Sequence, residues 1–204
     1  MSRVPVAAAI AQTLHAAMSS NQDLVLLGET VGKSGGIHGT TKGLLETFGS
    51  QRVYDMPISD RATLAFAVGL ALAGKTCIVE ISGSGRIPAL FETLTHAVLV
   101  AANREFPMNL VLRIPCGGQA GDRIDRSASE LLATLDGCQI LCPSDANGLV
   151  NAVTTAIDQP GISVLLEPRT LYSQRLEDSA PAVDMRRAHA LRSGDHITLI
   201  SWGS

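Results

Sequence analysis

Val53-Tyr54-Asp55-Met56-Pro57-Ile58-Ser59-Asp60, followed by the run from Arg61 to Gly74, is the stretch whose reading decides the fold. Val53 and Tyr54 read as a short strand. Pro57 lacks an N–H, and its ring clashes with a preceding helical turn, so the chain must turn there. Ser59 or Asp60 can then accept hydrogen bonds from the orphan N–H groups of the next helix. Residues 62–73 are almost wholly Ala, Leu, Val, Phe and Gly, which predicts a helix buried on nearly every face. A carboxylate, Asp60, therefore stands at a rigid strand-to-helix corner, the setting that acid–base chemistry needs.

Outward from this corner the same alternation repeats. Towards the amino terminus, residues 4–19 carry apolar side chains at helical spacing, and Leu24 to Leu27 is a short apolar run ending at Gly28, the mark of a buried strand. Towards the carboxyl terminus, residues 76–81 read as a strand with an acid, Glu80, inside it. The turn Ser82-Gly83-Ser84-Gly85-Arg86 then opens a helix over residues 87–103. Residues 109–114 form a further strand, followed by the loop Pro115-Cys116-Gly117-Gly118-Gln119-Ala120-Gly121. Residues 139–144 are a strand and turn, residues 145–158 a helix capped by Ser144 or Asp145, and residues 162–166 a last strand.

Strands and helices alternating at this spacing predict an α/β fold. The expected form is a doubly wound, mostly parallel sheet with helices on both faces and right-handed crossovers. Ligands in such sheets bind beyond the carboxyl ends of the strands. Glu29, Asp60, the Gly83 turn and the Gly118 loop all fall at that edge.

Composition agrees with one such domain. A chain of 204 residues can bury roughly 70% of its unfolded surface. With 46% hydrophobic residues but only 3% aromatic, the core must be Ala, Val, Leu and Ile, as close-packed helices on a sheet require. A net charge of −3 argues against nucleic acid, and neither a membrane span nor a signal peptide is evident. These features suggest a soluble cytoplasmic protein. Cys77, Cys116, Cys138 and Cys142 read mainly as small core residues. The five histidines share no metal-ligand spacing, so no metal site is expected on this chain. Lys42 and Arg113 could bind anions, though a solvated or paired role suits either one alone.

The run DMPISDRATLAFAVGLALAG resembles the segment by which thiamine-diphosphate enzymes of the transketolase type carry the acid that activates the cofactor. It is most similar to the β subunit of the decarboxylating component of 2-oxo acid dehydrogenases, of pyruvate or branched-chain type, where the motif reads approximately D-T-P-I-S-E. Gly28-Glu29-Thr30-Val31-Gly32, Gly35-Gly36, Thr41-Lys42-Gly43-Leu44, the Pro115 to Gly118 opening and Glu167 to Tyr172 match other family signposts in order and spacing.

The resemblance implies a catalytic role for Asp60, which matches the glutamate that bonds N1′ of the aminopyrimidine, and places Glu29 in a polar network beside the cofactor. Ser84 and Arg86 occupy positions where family members carry aromatic residues along the pyrimidine, which makes them candidate cofactor contacts. Arg126 stands where a histidine faces the substrate. Arginine cannot shuttle a proton near neutral pH, but it can clamp a carboxylate or phosphate.

The implied cofactor is thiamine diphosphate with magnesium, held mainly by an α-type partner subunit. A lipoyl-bearing acyltransferase is the implied acceptor of the acyl group, and the implied state is a homo- or hetero-oligomer. The expected organisation is a pyrimidine-binding domain over residues 1–172, a linker over 173–190 and the start of a carboxyl-terminal domain over 191–204, with a strand at 196–201. Three functions stay open. They are a catalytic β-type or transketolase-like subunit, a non-catalytic relative that keeps the fold and partner-binding surface, and an unrelated nucleotide-binding domain using the Ser82 to Arg86 turn.

Overall fold

The computed structural model describes residues 4–103, 107–117, 129–176, 185, 187–188, 190 and 192–201. Continuous apolar runs become strands β1 (Leu24–Gly28), β2 (Val53–Asp55), β3 (Thr76–Glu80), β4 (Asn109–Cys116), β5 (Cys138–Leu141) and β6 (Gly161–Pro168). They pair in the order β2-β1-β3-β4-β6-β5, every pair parallel. Parallel neighbours need long crossovers, and helices α3 (Asp60–Leu72), α4 (Ile87–Ala101) and α5 (Ala146–Asp158) supply the bulk of them, while α1 (Val6–Ser20) precedes the first strand. A short α2 (Leu44–Phe48) was not foreseen, because five residues are too few to show a period.

Strand alternation sorts the core into two layers. Val25 and Leu27 face α3 and α4, packing with Leu64, Ala67, Leu90 and Leu94. Leu24 and Leu26 face α1 and α5, packing with Ile10, Leu14, Met18, Leu149 and Val153. The sheet is thus covered on both sides, as the sequence predicts. Among the described residues no helix is long and apolar enough to cross a membrane.

Two expectations need correction. Helix α3 is not buried all round: Asp60, Thr63, Leu64, Ala67 and Ala71 form its buried stripe, while Ala62, Ala65, Phe66, Gly69 and Leu72 face out. Its near-uniform apolar composition conceals which face meets the sheet, since one stripe suffices to cover β1 and β3. Residues 196–201 form no strand; Ile197, Leu199 and Ile200 are exposed, and no strand among the described residues pairs with them. A strand is defined by its partner, and apolar composition alone cannot provide one.

Candidate functional site

The strand order turns back between β1 and β3. The chain runs outward from β1 to β2 and then returns to place β3 on the other side of β1. In doubly wound sheets this switch point leaves a crevice at the carboxyl ends, where the loops diverge. Glu29 follows β1 there, and Ser82 lies two residues beyond β3. The turn that Pro57 enforces brings the start of α3 to the same crevice.

Ser59 caps α3, its hydroxyl accepting from Ala62 N–H at 3.4 Å, which leaves the Asp60 side chain free of capping duty. Asp60 Oδ2 instead accepts from the Ser82 hydroxyl at 3.1 Å, and Arg86 Nε lies 3.7 Å away. Asp60 is buried, whereas the Arg86 side chain is 57% exposed, so the ion pair is only partly shielded. Glu29 completes the group. Its Oε1 is shielded from solvent and has no hydrogen-bond partner. Burial pushes its carboxyl above the usual glutamate range, the Asp60 charge pushes it further, and Arg86 partly opposes both. Thr30, the next residue, has φ 59°, a left-handed backbone that costs energy in a β-branched residue.

The loop that carries Glu29 is clamped from below. Asp55, at the end of β2, accepts from Gly32 N–H at 2.6 Å and Lys33 N–H at 3.1 Å. A Cβ on Gly32 would come within 2.9 Å of Asp55 Oδ2, so glycine is required for this approach.

Beside the crevice lies a second polar group, wholly buried. Arg113 of β4 donates from Nε and Nη2 to Glu167 of β6 at 2.6 and 2.8 Å, and from Nη1 to Glu80 of β3 at 3.0 Å. Thr40 donates to Glu80 at 2.8 Å, and the Tyr172 hydroxyl donates to Glu167 at 2.6 Å. Burial opposes the charge on Arg113, but the two glutamates outweigh it and keep the guanidinium protonated. Burial raises the Glu80 pKa, with Arg113 pulling the other way.

The site residues expected from sequence divide unevenly. Asp60, Glu29 and Arg86 come together. Ser84 is buried at the start of the 3₁₀ turn Ser84–Arg86, but among the described residues no hydrogen bond joins it to the carboxylates. Arg126 lies outside the described residues.

Sequence reasoning missed Ser82 as the donor to Asp60 and missed the cross-strand ion cluster. A signal for the latter existed: Glu80, Arg113 and Glu167 each interrupt an otherwise apolar strand near its carboxyl end. Arg113 is paired, in keeping with the less specific of its two readings. Among the described residues no group of three or more His, Cys, Asp or Glu could hold a metal ion. None of the four cysteines forms a disulfide, and burial pushes the Cys77 thiol up to about 12.

Fold and switch-point carboxylates together define a ligand-binding α/β domain of the doubly wound class. The family described as "Transketolase, pyrimidine binding domain" matches residues 2–174, and the chain belongs to it. Over its whole length the chain is 32% identical to the pyruvate dehydrogenase E1 component subunit beta of Acholeplasma laidlawii, of which it spans 65%. It is 30% identical to the mitochondrial 2-oxoisovalerate dehydrogenase subunit beta 2 of Arabidopsis thaliana, with 96% of this chain and 57% of that protein aligned. Among solved structures, a split-gene transketolase described as an inactive beta4 tetramer superposes with a TM-score of 0.67 at 18% identity. That match covers 89% of this chain and 56% of the other, and it supports the fold. The chain thus spans under two thirds of the length of these curated relatives.

Proposed function

We propose that this chain is a β-type subunit contributing the pyrimidine side of the cofactor site in a thiamine-diphosphate-dependent 2-oxo acid dehydrogenase. The observation that carries this reading is the pair of acids at the β1/β3 switch point, one with an oxygen shielded from water and unpartnered. A buried acceptor without a donor costs roughly 1–3 kcal/mol, and an aminopyrimidine, with ring nitrogens and an exocyclic amine, offers the polar edge that such a pair lacks. The residues present therefore fit the group.

When bound, thiamine diphosphate supplies a thiazolium carbon that adds to the substrate carbonyl and accepts the electrons released with carbon dioxide. The tasks of this chain are narrower. The Asp60 carboxylate would accept the proton at the pyrimidine ring nitrogen, Ser82 fixes the carboxylate's orientation, and Arg86 stands 3.7 Å from it on the solvent side. Glu29, whose carboxyl burial and the Asp60 charge push above the usual glutamate range, closes the polar wall. The Asp55 clamp keeps Glu29 in place. We assign diphosphate and magnesium binding to an α-type partner, acyl transfer to a lipoyl carrier, and assembly to a hetero-oligomer. Support comes from the relatives' subunit names and from the outward apolar stripe of α3. Four cysteines outside any disulfide fit a reducing compartment, which favours the cytoplasm.

Asp is shorter than Glu by one bond, about 1.5 Å, so the corner must sit closer to the ring than a glutamate would require. In the complex assembled with its companion subunit, Asp60→Asn should slow hydrogen–deuterium exchange at the cofactor's C2 by roughly 10²–10⁴-fold, and Asp60→Glu should be tolerated. Exchange as slow as in free cofactor, untouched by either substitution, would instead make this a non-catalytic relative.

A further inference from the structure

Against the Gly83 turn stands a cation that the site described so far does not use. Arg169 opens the 3₁₀ turn Arg169–Leu171 after β6. Its Nε is shielded from solvent and has no hydrogen-bond partner, and among the described residues it has no salt bridge. The nearby glutamates do not serve it: Glu167 is taken by Arg113 and Tyr172, and Glu80 by Arg113 and Thr40.

Gly83 is extended (φ 165°), so no backbone requirement explains the glycine. A Cβ there would lie 2.7 Å from Arg169 Nη2, the far end of a flexible side chain, so the guanidinium lies directly against this turn. The guanidinium therefore rests on bare backbone one residue, about 3.8 Å, from Ser82, the donor to Asp60. His38 stands on the same flank. It stacks on Tyr172 at 4.7 Å, and burial, with the Arg169 charge adding to it and Glu167 opposing, lowers its pKa. A half-buried guanidinium with an unmet donor has hydrogen bonds left for an anion. Its planar donors suit a carboxylate or phosphate.

We infer that Arg169, at the Gly83 turn, binds a second anionic group of the substrate, so that the preferred 2-oxo acid carries a further carboxylate or phosphate. This deepens the proposed function and rests on it for the words "2-oxo acid"; the anion site itself does not.

The test starts on the full chain by following the Arg169 Nε–H resonance during titration with glutarate, inorganic phosphate and butyrate. Glutarate or phosphate should shift it saturably, butyrate should act more weakly, and the stronger dianion identifies the class. Arg169→Gln should weaken that binding by tenfold or more, with Arg169→Lys retaining part of it. Arg61→Gln, on an exposed pair, should leave it unchanged.

In the assembled enzyme, Arg169→Gln should raise KM for 2-oxoglutarate, or for a phosphorylated 2-oxo acid, by at least tenfold while leaving 2-oxobutyrate unaffected. No response of Nε through the tens-of-millimolar range, where even weak sites fill, would overturn the inference. So would equal affinity in Arg169→Gln, or equal preference for butyrate. If Asp60→Asn leaves C2 exchange untouched while Arg169→Gln abolishes anion binding, the cofactor reading fails and the anion site stands. The opposite pattern removes the second-anion specificity alone.

Discussion

Two polar clusters lie side by side at the carboxyl edge of one sheet, and they differ in whether their hydrogen bonds are met. Around Arg113, two glutamates, a threonine and a tyrosine satisfy one another in a closed set. Around Asp60, a glutamate oxygen is left without a donor, an arginine stands 3.7 Å off, and the neighbouring backbone is strained at Thr30. Buried polar groups in proteins are normally partnered. The closed set ties β3, β4 and β6 together, whereas the open one has bonds left to give to something that is not protein.

The comparison breaks most visibly at Arg113. Arg113→Ala leaves two buried carboxylates facing each other and should destabilise the chain by about 3–5 kcal/mol, read by chemical denaturation. A loss under ~1 kcal/mol would show the cluster to be hydrated and would erase the distinction.

The open cluster should respond in the opposite sense. Because the folded-state pKa of Glu29 is raised, its favourable contribution is complete only at acid pH and is lost as pH rises through that value. Glu29→Gln should therefore raise Tm modestly near neutral pH, with the gain vanishing as the wild-type carboxyl protonates. A pH-independent or destabilising effect would place Glu29 among the fold's supports.

Smallest of all should be the Arg61–Glu92 pair between α3 and α4. It measures 2.6 Å, yet it is exposed on both sides. Exposed pairs contribute about 0.2–1 kcal/mol, so Glu92→Gln should be nearly silent in the same denaturation experiment. A larger loss would mean that this face is covered by a partner.

How much of this was legible beforehand follows from range. The strands and helices β1, β3, β4, β6, α1 and α5 announce themselves by apolar runs and helical spacing, which are local properties. Asp60 and Glu29 were legible from their corner positions and motif. Ser82, Arg169 and the Glu80–Arg113–Glu167 set were not, because their partnerships depend on which strands become neighbours, and β4 (ending at Cys116) meets β6 (starting at Gly161) only across 44 intervening positions of chain. The outward face of α3 was hidden for another reason: Ala and Gly on every side give no direction to its hydrophobicity.

The central claim is that burial, and after it the Asp60 charge, hold the Glu29 carboxyl out of balance and that Arg86 partly restores it. Carbon-detected NMR titration of the Glu29 carboxyl in the full chain tests it directly. The account predicts a midpoint above the ordinary glutamate value of 4.5, lowered by Asp60→Asn and raised further by Arg86→Gln. A midpoint at the ordinary value, unmoved by either substitution, would contradict it.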